Sequence, residues 1–190
     1  KGKDINVDSF ELISGDERIY AYGSTSMTQK DTLTLSLDRF DISVLNPLLG
    51  SDFGIGGAAT GNVRLTSPMH SKGLLADMLC DSTYIAGEPL GTLTIGSAWN
   101  DDFERFDISA RNDLGGKANI HATAKLTPKT RMLDALISMD SLSITYAEPF
   151  LTDVFSEMTG SISGDIMAEG PLDRLEISSL NTRLDNAMLK

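Results

Sequence analysis

Three side chains in this sequence could carry nucleophilic or proton-transfer chemistry: His70, His121 and Cys80. His70 stands in the turn-like stretch SPMHSKG, and His121 falls among the polar positions of an alternating run. Neither context supplies the apolar seat and orienting carboxylate that a general base needs. Cys80 lies in DMLCDST, and flanking acids raise a thiol pKa instead of activating it. As the only cysteine it has no internal disulfide partner, and its neighbours add no second metal ligand. The reading is of a non-enzyme, with no catalytic residue and no cofactor.

Two further patterns invite chemistry and fail on spacing. NDDFERFD concentrates Asn100, Asp101, Asp102, Glu104 and Asp107, oxygen ligands of the kind calcium takes. It lacks the Asp-x-Asp-x-Asp-Gly order of a built calcium loop, and a solvated hairpin turn between GTLTIGSAW and ERFDISA accounts for it, so no metal site is expected. The Gly-x-x-x-Gly pairs that begin at Gly57 and Gly160 have no following lysine to make a phosphate loop. Inside strands, such glycines permit a bulge or a tight curl.

Charge narrows the partners. With 27 acidic and 16 basic side chains the chain carries −11, which repels phosphate backbones and excludes nucleic acid. No apolar run approaches the roughly 20 residues of a membrane-spanning helix. The opening KGKDINVDSF resembles neither a signal peptide nor an initiator sequence, so the chain is expected to be a segment of a longer protein.

The elements that position these residues are strands. Leu33, Leu35 and Leu37 alternate with Thr34 and Ser36, and the rhythm returns in GTLTIGSAW, ERFDISA, KANIHATAKL and SLSITY. Turn clusters such as SGDE, NDLGG and LTPKT recur at meander spacing, predicting ten to twelve antiparallel strands. EPFLTDVFSEM breaks the rhythm: Phe150, Leu151, Val154, Phe155 and Met158 mark one face of a short helix, with Pro149 at its start and Gly160 past its end. NPLLGSDFG reads as its shorter counterpart, and both helices are expected to cap a mouth or edge of the sheet.

The interruptions recur. Pro47 and Pro149 lie 102 residues apart, Gly57 and Gly160 lie 103 apart, and so do Pro68 and Pro171. Residues 19–68 thus reappear as 120–171 with single-residue slips, within one continuous β-array spanning residues 1–190 whose second copy is truncated. An all-β, elongated, curled antiparallel sheet built from repeats of about 100 residues follows. Its open edges would allow self-association.

Alternation assigns one face of this sheet to Leu33, Leu35, Leu37, Phe40, Ile42, Val63, Leu65, Leu93, Ile95, Phe106, Ile108, Ile120, Ala122, Ala124, Leu126, Leu142, Ile144, Ile166, Ala168, Leu175 and Ile177, none of them ionisable. Strands of about eight residues are roughly 26 Å long, wide enough when folded lengthwise to enclose acyl chains. Periodicity shows that a face is apolar and not what covers it. Two readings therefore stand: a lipid-holding groove, or a closed core as in a structural β-repeat of a surface protein or adhesin.

FDISVLNPLLGSDFGIGGAATGNVRLTSP and LSITYAEPFLTDVFSEMTGSISGDIMAEGPLDRLEIS resemble repeats of the TamB family of translocation and assembly modules, related to the AsmA-like envelope proteins of didermic bacteria. The shared cadence is a proline-containing helix, a Gly-x-x-x-Gly strand and the ending GPLDRL. The resemblance implies a periplasmic protein anchored in the inner membrane, with a β-taco sheet curled around an apolar groove. It also implies roles in phospholipid transport between the two membranes and in outer-membrane protein assembly with an outer-membrane partner.

Overall fold

The computed structural model describes residues 5–25, 32–49, 54–66, 73–147 and 157–189. The described residues form eleven strands: β1 (Ile5–Ser14), β2 (Glu17–Thr25), β3 (Thr32–Asp41), β4 (Ile55–Thr66), β5 (Gly73–Ile85), β6 (Glu88–Asn100), β7 (Arg105–Asp113), β8 (Ile120–Thr127), β9 (Met132–Ser143), β10 (Met158–Pro171) and β11 (Glu176–Leu189). They build one open, curled sheet in which spatial order equals sequence order and every neighbour is antiparallel. The expected all-β meander is therefore present, and the sheet does not close, leaving β1 and β11 as edges.

Among the described residues, helix is confined to short turns. A 3₁₀ turn, Ile42–Leu45, follows β3 and leads into a single α-helical turn, α1 (Asn46–Leu49). A second 3₁₀ turn, Ile144–Ala147, follows β9. The longer helix predicted over EPFLTDVFSEM falls mostly on residues outside those described. Its last apolar position, Met158, opens β10 and is buried against the sheet. The run SLSITY is likewise strand only to Ser143, with Ile144 starting the 3₁₀ turn. Ile42 plays the same part after β3. Both isoleucines are buried, because the turn folds their side chains back over the strand ends.

Bulges set the phase of the strands. Between β3 and β4 the register slips from Leu37↔Gly61 to Phe40↔Ala59, with Arg39 at a φ of 54°. Between β9 and β10 it slips from Met139↔Gly164 to Leu142↔Ile162, with Ser141 at 51°. An extra residue in one strand reverses the in/out alternation beyond it, which is why Leu37 and Phe40 share a face despite their spacing. The freed amide of Arg39 donates to Thr60 Oγ1 at 3.1 Å, and that of Ser141 to Ser163 Oγ at 2.9 Å. The 3₁₀ turns that follow are capped alike: Ser43 N–H donates to Asp41 Oδ1 at 2.9 Å, and Thr145 N–H to Ser143 Oγ at 3.3 Å.

Two of the glycines singled out above serve a second pair of bulges. Gly57, at a φ of 138°, lies beside the slip at Ser82 in β5, and Gly160, at 114°, beside the slip at Asn186 in β11. A Cβ at Gly160 would come within 2.7 Å of Ala187 Cα, so a side chain is excluded by the next strand's backbone as well as by the dihedral. These positions admit a bulge, not a phosphate.

The tightest packing sits at one end of the strands, where the 3₁₀ turns lie. Ile42, Ala59 and Cys80 form its centre, with Phe40, Ile55, Met78, Leu93 and Ile95 packed around them. Asn112 is buried nearby with three bonds from its amide: Nδ2 donates to the Leu90 carbonyl, and Oδ1 accepts the N–H groups of Asn119 and Ile120. That capture fixes the start of β8 at Ile120, two residues later than the alternation in KANIHATAKL indicated.

Candidate apolar groove

The candidate site is a face, and register defines it. Residues directly opposite on neighbouring strands share a face, so cross-strand partners can be followed from strand to strand. One such row runs Leu12, Ile19, Leu37, Gly61, Met78, Ile95, Ala110, Ala122, Ile137, Ile166, Ser179. The adjacent row runs Phe10, Ala21, Leu35, Val63, Ala76, Ser97, Ile108, Ala124, Ala135, Ala168, Ile177. Each row takes one residue from every strand, and neither contains an ionisable group. At about 4.8 Å per strand they extend roughly 48 Å across the sheet.

Shorter rows flank them on the same face. Trp99, Phe106, Leu126 and Leu133 continue one another across β6 to β9, with the Trp99 and Phe106 rings edge to face at 4.8 Å. Leu33 and Leu65 are paired across β3 and β4. On the packed side, Phe40, Ala59, Cys80 and Leu93 form the row that meets the 3₁₀ turns. Leu142 pairs with Ile162 in the corresponding place on β9 and β10.

Most of the alternation-assigned residues thus fall on one face, as partners of one another. Ile42 and Ile144 join from turns instead of strands. Leu175 lies before β11 begins, in the turn after β10, and is exposed. Ile177 is in register with Ala168 yet 75% exposed, β11 having no further neighbour among the described residues. Sequence reasoning passed over Ile19, Met78, Trp99, Ala110, Leu133, Ala135, Ile137 and Met139, which the ladders place on the same face. Their signal was the parity of each hairpin partner.

The opposite face is polar. Its middle row reads Glu11, Tyr20, Ser36, Asn62, Asp77, Gly96, Ser109, Thr123, Leu136, Met167, Ser178. Beside it Asp107, Lys125, Asp134 and Glu169 stand in one cross-strand line, with Lys125 Nζ 3.5 Å from Asp134. Hollows of 540 Å³ and 560 Å³ on this face are gaps between such side chains, open to solvent. His121 lines the first with Asp77, Thr94 and Arg111 and is exposed.

No family model, no curated protein and no solved structure matches this chain. Function must therefore be argued from the face itself and from the residues around it.

The remaining reactive groups are turned to structural ends. Cys80 is buried, and burial first, then the Asp81 carboxylate, pushes its thiol up, away from the nucleophilic thiolate. His70 lies outside the described residues. The NDDFERFD segment forms the turn between β6 and β7, where Asn100 Nδ2 and Arg105 Nε donate to Asp107 and Trp99 Nε1 donates to Asp101. Those bonds, that from Asn100 foremost, hold the Asp107 carboxyl below its usual range. Among the described residues no three His, Cys, Asp or Glu side chains converge on a metal position.

At the packed end one bond reaches across the sheet. Tyr146, in the second 3₁₀ turn, donates its hydroxyl to the Pro89 carbonyl at 2.5 Å, joining the end of β9 to the start of β6. Burial, and after it the Glu88 carboxylate, raises the Tyr146 pKa, which keeps the hydroxyl a donor.

Proposed function

We propose that the chain is a non-catalytic, periplasmic segment of a TamB-like envelope protein, and that its apolar face holds phospholipid acyl chains in transit between the inner and outer membranes. In this reading the full protein is anchored in the inner membrane and also supports outer-membrane protein assembly with a partner there. Residues 19–68 and 120–171 are two copies of one unit of about 100 residues. The matched bulges at Arg39 and Ser141, the matched 3₁₀ turns and the matched glycines at Gly57 and Gly160 support that repeat.

The observation that carries the function is the pair of uncharged rows crossing all eleven strands of a sheet that stays open. A closed core would need a second layer over those rows, and among the described residues only the two short turns lie near them, at one end. An acyl chain laid along a row gains about 0.8 kcal/mol per buried methylene and meets no fixed anchor, so it is held in sum and free to slide. An unpaired charge in such a path costs several kcal/mol and interrupts it.

Photo-crosslinking tests the reading. A photoreactive residue at Ala122 or Ile137 captures phospholipid from cells, whereas one at Thr123 does not. Ala124→Arg abolishes that capture, and Thr123→Arg leaves it intact, with both variants folded by circular dichroism. Folded Ala124→Arg protein that still captures lipid like the parent overturns the conduit. A parent that captures none at either inward position leaves the closed structural module in its place.

A further inference from the structure

The apolar face has two unlike ends. At the packed end the 3₁₀ turns fold Ile42 and Ile144 over it, Leu90 is buried, and the Tyr146 hydroxyl ties the second turn to the Pro89 carbonyl. At the other end the row of Trp99, Phe106, Leu126 and Leu133 comes last. Beyond it lie two hairpin turns, residues 101–104 between β6 and β7 and residues 128–131 between β8 and β9.

Trp99 marks the boundary. Its ring meets Phe106 edge to face in the apolar row, while its Nε1–H donates to Asp101 in the turn at 2.9 Å, so the indole stands between an apolar phase and water. Past this boundary the two turns carry opposite charge. Lys129 and Arg131 are exposed and make no ion pair among the described residues, although Asp102 and Glu104, equally exposed and unpaired, stand on the adjoining turn. Neighbouring turns at one end of a meander are two strand spacings apart, about 10 Å, and these four side chains leave that gap unbridged. The Leu172 N–H donates to the Arg131 carbonyl at 2.9 Å, which pins the basic turn to the turn that follows β10.

A lipid whose tails run in the uncharged rows has to keep its charged head out of them, because an unpaired ion there is costly. The packed end is covered, so the head emerges at the turns. We infer that this lip binds the head of a zwitterionic phospholipid, Lys129 and Arg131 taking the phosphate while Asp102 and Glu104 face the ammonium. Charge complementarity selects that head. One with a net negative charge meets the two carboxylates, and one without phosphate leaves both cations unanswered. The inference rests on the groove reading above and adds which lipid it holds and which way round.

The test incubates the 190-residue chain with vesicles of phosphatidylcholine and phosphatidylglycerol in equal amounts and a minor share of diacylglycerol, all with the same acyl chains. Mass spectrometry of the lipid on the repurified protein, normalised to vesicle content, shows phosphatidylcholine enriched about tenfold over diacylglycerol. Lys129→Gln with Arg131→Gln abolishes that enrichment and leaves diacylglycerol uptake unchanged, which also shows the groove intact. Asp102→Asn with Glu104→Gln raises phosphatidylglycerol to the level of phosphatidylcholine. Lys125→Gln, on the outer face beside Asp134, changes neither. Enrichment that survives loss of both cations overturns the assignment, as does a parent that prefers phosphatidylglycerol. Excess glycerophosphocholine leaves the bound lipid in place; displacement would assign the lip to a free phosphodiester and overturn the lipid reading of it. Uptake of all three lipids without preference removes the lip alone, and a parent that takes up none of them removes the conduit as well.

Discussion

The region from β3 to β5 and the region from β9 to β11 have the same bulges, the same capped 3₁₀ turn and the same glycine positions, yet only the first has a finished interior. Ala59 and Cys80 are buried there, while Leu184 on β11 is half exposed and Ile177 is more exposed still. Local sequence dictates the shape of each unit, but burial is conferred by the neighbouring strand. In a single-layer sheet each strand is core for the strands beside it, and a residue's environment is decided one hairpin away.

Matched substitutions separate the two regions. The largest expected difference is between Cys80→Asp and Leu184→Asp. A carboxylate at the fully enclosed position costs on the order of 4 kcal/mol, and at the edge position below about 1 kcal/mol, read as urea midpoints. Equal losses would mean that β11 is covered in solution.

Gly57→Val and Gly160→Val come next. Both force a β-branched side chain to a positive φ against backbone, at 3.0 Å from Thr83 Cα in the first case and 2.7 Å from Ala187 Cα in the second. β5 is locked between two neighbours, so Gly57→Val should cost roughly 3 kcal/mol, whereas β11 can peel away and limit the loss at Gly160 to about half of that. Hydrogen exchange in the Gly160 variant should rise in residues 176–189 first.

A smaller effect is expected at the turns. Tyr146→Phe removes the hydroxyl bond to the Pro89 carbonyl, which water can then reach, costing about 0.5–1 kcal/mol. Val44, at the corresponding place in the first turn, is exposed, so Val44→Ala should be close to neutral, both changes being read as urea midpoints.

The smallest effect is in the caps and varies with pH. The Asp41 carboxyl accepts from the Ser43 hydroxyl at 2.6 Å and from its N–H, and these bonds, the hydroxyl's foremost, hold its pKa below the ordinary 3.8. A carboxyl depressed on folding adds stability that is complete above the unfolded value and is lost as pH falls through the folded one. Asp41→Ser copies the neutral Ser143 cap and should therefore lower stability slightly at pH 7, the gap to the parent closing as pH falls below about 4. An unchanged acid limb would place that dependence on other carboxylates.

Strand content, meander order and the uncharged face were legible in the sequence because alternation is a local signal: Ile120, Ala122, Ala124 and Leu126 declare their side within eight residues. The phase changes were not. Nothing near Arg39 or Ser141 announces a left-handed residue, and Leu37 and Phe40 were grouped by hydrophobicity before a bulge explained them. The helix read over EPFLTDVFSEM lies outside the described residues except at its end, where Met158 suits both a 3.6-residue spacing and a strand start, and pairing with Leu189 decides for the strand. The exposure of Ile177 was out of reach for a different reason, since no property of β11 reveals that it stands last among the described strands.

Strand order has a kinetic consequence. Because all ten ladders join strands adjacent in sequence, no pairing waits for a distant part of the chain. The entropy of closing each hairpin loop is small, and the slow search that burdens sandwiches and barrels does not arise. A chain delivered from one end can zip strand upon strand behind its leading residue, with the open edge of β1 constant at one side and a single growing edge at the other.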